Sequence, residues 1–298
     1  MLVAEVVETY LREETGRLAQ STRRSEAISG AHITRLIGQV PIADLTPRMV
    51  RDFHRALAKT PRTANLALGF LSKVCDLAEI LDERPSHSNP CGPVRGFPER
   101  PRQRFFTVAE IRELLLAADW LEASFNLPGS GGLSAASADL FRLLIFTGCR
   151  VGEAKSLQRH EVDLDRRLLV LDSTKTTQHL TQIRPISEAA VGVARRRFDT
   201  TTGPWLFPGR RPGRHLVEHQ RAWVKLVEAA EVKYASVHTL RHSFASTAAV
   251  QGLPLAVIGA CLGHKDPRST GRYAHLAPQE SHHVADHVAD IYLARRSA

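Results

Sequence analysis

HTLRHSFASTAAVQGLPLAVIGACLGHKDPRSTGRYAHL, residues 238–276, strings His238, Arg241, His264 and Tyr273 along one run of chain. His238 and Arg241 are three apart, so on a helix they share a face and approach one phosphate together. Tyr273 follows nine residues after His264 and supplies a phenol. With an ordinary pKa of about 10, that phenol must lose its proton to a base or in a positive field before it can attack. His238 is the candidate base. Each residue also has a blander reading when taken alone: His264, after Leu262-Gly263, caps a helix, and Tyr273 packs in a core.

Upstream, TGCRVGEAKSL (147–157) sets Arg150 at a helix start, where backbone N–H groups face outward and favour an anion. Residues 162–187, VDLDRRLLVLDSTKTTQHLTQIRPIS, carry β-like runs at Leu168–Leu171 and Thr181–Ile186 bridged by polar residues, which predicts a small antiparallel sheet. Lys175 falls in the hairpin turn of that sheet. These residue types suit phosphodiester cleavage without a metal. Arg150 and Arg241 can grip the non-bridging oxygens through charge-assisted bonds that strengthen as charge builds in the transition state. Lys175 can protonate the departing 5′ oxygen as general acid.

The four segments resemble the tyrosine recombinase family, the phage integrases and Xer-type recombinases. The family pattern is Arg, a hairpin Lys, His-x-x-Arg, a second His or Trp, then Tyr. Arg150, Lys175, His238 with Arg241, His264 and Tyr273 fill it in order. TGCRVGE resembles the family's TGxRxxE, HTLRHSFAS its HxLRHxFAT, and LGHKDPRSTGRYAHL its LGHxxxxxTxxYxH. Glu153 takes the usual acidic position, which the family uses to orient the arginines. Two departures are His160, where many members carry tryptophan, and a Gly/Ser-rich loop at 126–137 that reads as a surface insertion.

The resemblance implies attack by Tyr273 on a DNA phosphate, a 3′-phosphotyrosyl link and a free 5′-hydroxyl that reverses the reaction on a partner duplex. Neither ATP nor a metal cofactor is required. It further implies double-stranded DNA as partner, four copies in the synapse from a chain that is monomeric when free, and accessory bending or directionality proteins. Integration or excision of a mobile element is the expected role, with a Xer-like resolvase or a type IB topoisomerase as alternatives. A DNA-binding protein that keeps the fold without catalysis is the non-enzyme rival.

The 298 residues favour two domains. Residues 1–84 contain four helical patterns and read as a helical core DNA-binding domain, with Thr46-Pro47 and Pro61 as entry signals for the third and fourth helices. Residues 85–104 are rich in proline and basic, the composition of an extended linker. Residues 105–298 open on the capping box Thr107–Glu110 and read as a mostly helical catalytic domain with a small sheet. The fold class is therefore mainly α, with a C-terminal helix about Val284, Val288 and Ile291, which the family resemblance implies docks on a neighbouring copy. His283 and His287, four apart there, are weighed as metal ligands and set aside.

Net charge is +9, and most of the 40 basic residues are arginine, whose planar fork pairs phosphate oxygens. Arg95, Arg100, Arg102 and Arg104 of the linker, Arg195 to Arg197, and Arg210, Arg211 and Arg214 are candidate DNA contacts. No apolar run approaches the ~18 residues of a membrane span, and the N-terminus lacks the pattern of a secretion signal, so a cytoplasmic location is expected. Cys75, Cys91, Cys149 and Cys261 are scattered, which argues against a zinc site.

Overall fold

A computed structural model describes residues 1–99, 104–127, 131–171 and 181–276. The chain divides into two compact units, Met1–Arg102 and Gln103–Ala298. The first is built on four α-helices among its described residues: α1 (Val3–Glu13), α2 (Gln20–Ile37), α3 (Pro47–Ala56) and α4 (Pro61–Ile80). Local chemistry starts α3, where Pro47 takes the first helical position and the Thr46 hydroxyl accepts from the Met49 N–H at 3.3 Å. Along α4, Ala64, Ala67, Leu68, Leu71, Val74, Cys75 and Ala78 are buried at steps of three and four, so one face of the helix is core. Gly30 of α2 lets α1 close in, since a Cβ there would sit 3.0 Å from Val7 Cγ1.

The segment that composition reads as an extended linker is held against this unit as far as Glu99, whose carboxylate accepts from Asn65 at 2.8 Å. Arg84 is buried and donates to the carbonyls of Ile42 and Ser88. Asn89 donates to Ser72 and Asp76, and Cys91 is buried. Phe97 stacks on the buried His54 at 4.1 Å, and Asn65 bonds both its backbone N–H and its carbonyl. Proline here removes backbone donors without removing the side chains that anchor the segment. Arg95 is exposed, and Arg100 and Arg102 lie outside the described residues.

The second unit begins with α5 (Val108–Ala123), whose capping box is formed as its sequence predicts: the Glu110 N–H donates to the Thr107 hydroxyl, and the Thr107 N–H donates to the Glu110 carboxylate at 2.8 Å. Then come α6 (Ala135–Thr147), the short α7 (Val151–Lys155), strands β1 (Val162–Asp163), β2 (Leu168–Leu171) and β3 (Gln182–Pro185), and helices α8 (Glu188–Thr200), α9 (Gln220–Ala229), α10 (Thr239–Val250), α11 (Leu255–Leu262) and α12 (Arg268–Gly271). The fold is thus mainly helical with a small antiparallel sheet in the order β1-β2-β3. α6 is the hub, burying Ala138, Leu140, Phe141, Leu143 and Leu144. Trp223 of α9 is fully buried near Phe106 and Phe141 and donates its indole N–H to the Ala235 carbonyl at 2.8 Å. Among the described residues no helix is long and apolar enough to cross a membrane.

Three of the candidate DNA contacts, Arg104, Arg196 and Arg197, go where composition does not send them. Arg196 and Arg197 turn to Asp139 of α6, which is fully buried and also accepts from Arg142 at 3.0 Å. A buried carboxylate needs cations, so these two arginines neutralise an internal charge and are not left free for DNA. Arg195 stays exposed, as do Arg210, Arg211 and Arg214 on the turn after Pro208. Arg104 is likewise engaged: it bonds Glu110 at 2.6 Å and the Lys233 carbonyl, and lies over the Phe106 ring. Asp139→Ala strands these cations. Urea titration should record about 3–5 kcal/mol lost from the second unit, and a loss below 1 kcal/mol would mean that the network is incidental.

Candidate active site

Gly148, in the left-handed conformation at φ 61°, ends α6 and turns the chain sharply into Arg150. No side chain fits at that turn, because a Cβ would meet Leu262 Cδ2 at 2.7 Å. Arg150 caps α7, and Glu153 closes the cap: its carboxylate accepts from the Arg150 backbone N–H at 3.0 Å and from Arg150 Nη1 at 2.8 Å. The anion favoured at this helix start is therefore Glu153 itself.

Glu153 is shared with a residue that the sequence patterns did not single out. Arg184 of β3 donates Nη1 to Glu153 Oε2 at 2.8 Å and Nη2 to Oε1 at 3.1 Å, a fork-to-fork pair. Its side chain is 1% exposed, whereas neighbouring Ile183 is 62% exposed. The strand thus turns its arginine inward and its isoleucine outward, the reverse of hydrophobic alternation. Burial alone would raise the Glu153 pKa, but bonding and charge from Arg184 and then Arg150 hold it down at about 2. Gly263, at φ 66°, closes the other side of Arg184, and a Cβ there would collide with the guanidinium.

Arg241 of α10 is 4% exposed and donates Nη1 to the Gly148 carbonyl at 2.9 Å. Its Nη2 is buried and has no partner among the described residues. Burial and the nearby charge of Arg150 lower its pKa to about 10, so it remains a cation at neutral pH. His264 follows the Gly263 turn, and its Nδ1 pairs with the Thr270 hydroxyl at 2.6 Å. Burial and then Arg241, Arg150 and Arg272 push that imidazole down to about 4. The same influences lower His238. Arg150, His238, Arg241 and His264 therefore share one electrostatic neighbourhood.

Tyr273 is 5% exposed and packs with Ala245, Ala249, Ile258 and Leu262 of α10 and α11. Its hydroxyl lies 2.7 Å from Nδ1 of His242, one turn along α10 from His238. The two imidazoles meet edge to face at 4.9 Å. His242 sits inside a quoted motif, but the only local sign of its role is its four-residue offset from His238. Burial raises the phenol pKa, while Arg272 and Arg241 pull it back. Arg272, exposed beside the tyrosine, is the other member of the cluster that the patterns did not mark. Lys175 lies outside the described residues, as does the segment after Leu276; His160 is exposed.

Residues 105–280 match the model of the phage integrase family. The chain belongs to this family. Curated relatives include the tyrosine recombinase XerD of Bradyrhizobium diazoefficiens, 27% identical over 218 residues, covering 67% of this chain and 68% of that one. XerD of Rhizobium meliloti is 30% identical over 152 residues, covering 48% of each chain, so the match spans about half the length of that relative. Among solved structures, the Tn1549 transposon integrase in complex with circular intermediate DNA aligns with a TM-score of 0.71 at 17% identity, covering 96% of this chain and 99% of that one. A lambda integrase dimer bound to a COC′ core site aligns with a TM-score of 0.72 at 16% identity, covering 94% and 97%. At these identities the likeness concerns the fold.

The Glu153 node makes a prediction for acid stability. Its carboxyl titrates near 2 in the folded chain and at about 4.3 in an unfolded one, so it contributes on the order of 3 kcal/mol. The contribution is complete above about pH 5 and is lost as pH falls through the folded value. Urea midpoints of wild type and Glu153→Gln should differ most near neutrality and converge toward pH 2; a gap independent of pH would exclude the carboxylate as its source.

Proposed function

We propose that this chain is a site-specific recombinase that cleaves and rejoins duplex DNA through a 3′-phosphotyrosyl bond to Tyr273. One observation carries the reading: a phenol is held inside a cluster of arginines and neutral histidines in which the buried Nη2 of Arg241 lacks a partner among the described residues. An unpaired buried cationic donor is costly, and a phosphate oxygen satisfies it.

Arg241 and Arg150 bind the non-bridging oxygens, and their charge grows in value as the phosphorane forms. Glu153 and Arg184 hold Arg150 in register and do not react. His264, fixed through Nδ1 by Thr270, offers its other ring nitrogen to the phosphate. Lys175 protonates the 5′ oxygen as it leaves. The ester to Tyr273 retains the bond energy, so the freed 5′-hydroxyl of a partner duplex reverses the step without ATP or metal. Exposed Arg95, Arg195, Arg210 and Arg211 contribute backbone contacts, together with Arg100 and Arg102, and four copies join two sites in the synapse.

The role we favour is integration or excision of a mobile element. The relatives named among curated proteins are Xer recombinases, which favours a Xer-like resolvase as the second reading. The test uses a duplex that the chain itself selects from a random-sequence pool, nicked at tiled positions so that the cleaved end is lost. Wild type should leave a protein–DNA adduct that survives a denaturing gel, and Tyr273→Phe should bind the duplex and leave none. Binding without an adduct from wild type would overturn the enzyme reading.

A further inference from the structure

His242 is the residue the structure adds to this reaction. Its Nδ1 stands 2.7 Å from the Tyr273 hydroxyl, hydrogen-bonding distance to the atom that must attack. The imidazole of His238, the residue that sequence spacing suggests as base, lies edge to face with that of His242 at a centroid distance of 4.9 Å. We propose that His242 is a catalytic residue, the group that takes the phenol proton as Tyr273 attacks the phosphate. This rests on the recombinase reading and names a member of its machinery.

The charged and titratable groups facing His242 are His238 and Arg241 from its own helix, and Arg272 and Tyr273 from the segment packed across it. Burial, then His238, Arg272 and Arg241, hold the imidazole neutral, with a pKa of about 4. A neutral ring with its proton on Nε2 presents the Nδ1 lone pair to the phenol O–H. Bound alone, the pair stays as phenol and imidazole, because burial also raises the phenol pKa. A phosphate changes both sides. Its negative charge offsets the arginines that depress His242, and bond formation to phosphorus makes the phenol oxygen steadily more acidic.

The step then balances. The Oη–P bond forms and the P–O5′ bond breaks; the phenol proton moves to His242 Nδ1, and the leaving oxygen takes its proton from Lys175. On rejoining, the 5′-hydroxyl returns its proton to Lys175, and His242 returns the phenol's.

The test measures single-turnover adduct formation on the selected nicked duplex. His242→Asn keeps a hydrogen-bond acceptor but no base, and His242→Ala removes both; binding of the same duplex at wild-type affinity shows that each is folded. Both should slow cleavage about 10²- to 10⁴-fold, the span of a general base. Replacing Tyr273 with 3,5-difluorotyrosine, a more acidic phenol, should restore at least tenfold to either variant. A 5′-bridging phosphorothiolate, whose thiolate leaves without a proton, should rescue Lys175→Ala and neither His242 variant.

A His242→Asn rate near wild type would reduce the residue to positioning and overturn the proposal. So would fluorotyrosine rescue of His238→Ala in place of the His242 variants, or thiolate rescue of His242→Asn. Should the Asn and Ala variants lose binding, His242→Gln and the fluorotyrosine dependence of the wild-type rate decide it, since a rate insensitive to phenol acidity excludes proton removal from the slow step. A wild type that binds and forms no adduct overturns both this proposal and the recombinase reading; a normal adduct with unaffected His242 variants overturns this proposal alone.

Discussion

A site made of cations must first be kept from pushing itself apart. Arg150, Arg184 and Arg241 lie close enough that their charges act on one another and on the same histidines. Glu153 is the acid that bridges two of them, accepting from Arg150 on one side and from Arg184 on the other. Two unit charges about 4 Å apart interact by some 4 kcal/mol at the effective dielectric of a protein surface, so an unbridged pair would oppose folding. The bridge also joins pieces distant in sequence. α7 supplies the acid, β3 supplies the fork, and the Gly263 turn after α11 seals the guanidinium because no side chain intervenes. The resulting frame orients Arg150 and brings His264 beside it.

This frame separates charge from proton chemistry. The positive field comes from arginines, of which even Arg241, lowered to about 10, keeps its proton at neutral pH. Within that field the imidazoles of His238, His242 and His264 are driven toward their neutral forms, first by burial and then by the arginines. A neutral imidazole can accept a proton, whereas a charged one has none of that capacity. Electrostatic pull on an anion and readiness to remove a proton thus coexist at one pH, a combination that a cluster of charged histidines could not supply.

What sequence reading recovered is what local chemistry controls. The helices of the first unit, the Thr46 and Thr107 caps and the small sheet follow from periodicity and capping over a few residues. Destinations of charged side chains were harder, because they depend on partners far along the chain. Arg184 sits inside and Ile183 outside, since the buried carboxylate of Glu153 outweighs the gain from burying one isoleucine. Arg196 and Arg197 look like surface charge until Asp139, fifty-seven positions before Arg196, is found in the core. His242 belonged to a recognised motif, yet its partner is thirty-one residues away and is reached only through the packing of α10 on the tyrosine segment. The proline-rich stretch hid its anchors for a similar reason: Arg84 reaches the Ile42 carbonyl, Asn89 reaches Ser72 of α4 and Phe97 stacks on His54 of α3, all far along the chain.

Thr270 ties the nucleophile to the rest of the cluster. Its hydroxyl pairs with Nδ1 of His264, its carbonyl accepts from the Tyr273 N–H at 3.0 Å, and it packs on Gly259, where a Cβ would come within 2.9 Å of that hydroxyl. Any displacement of the short α12 therefore takes with it both the tyrosine and the partner that fixes His264. The tyrosine ring packs in an apolar cluster with Ala245, Ala249, Ile258 and Leu262, which holds the ring by burial but gives its hydroxyl no direction. The direction of the nucleophile is set by polar contacts, to His242 at the phenol oxygen and to the Thr270 carbonyl at the backbone N–H. Polar contacts of this kind are directional, so a shift of about an ångström in α12 would loosen the phenol and the His264 ring together, whereas an apolar clamp would let one slide while the other stayed.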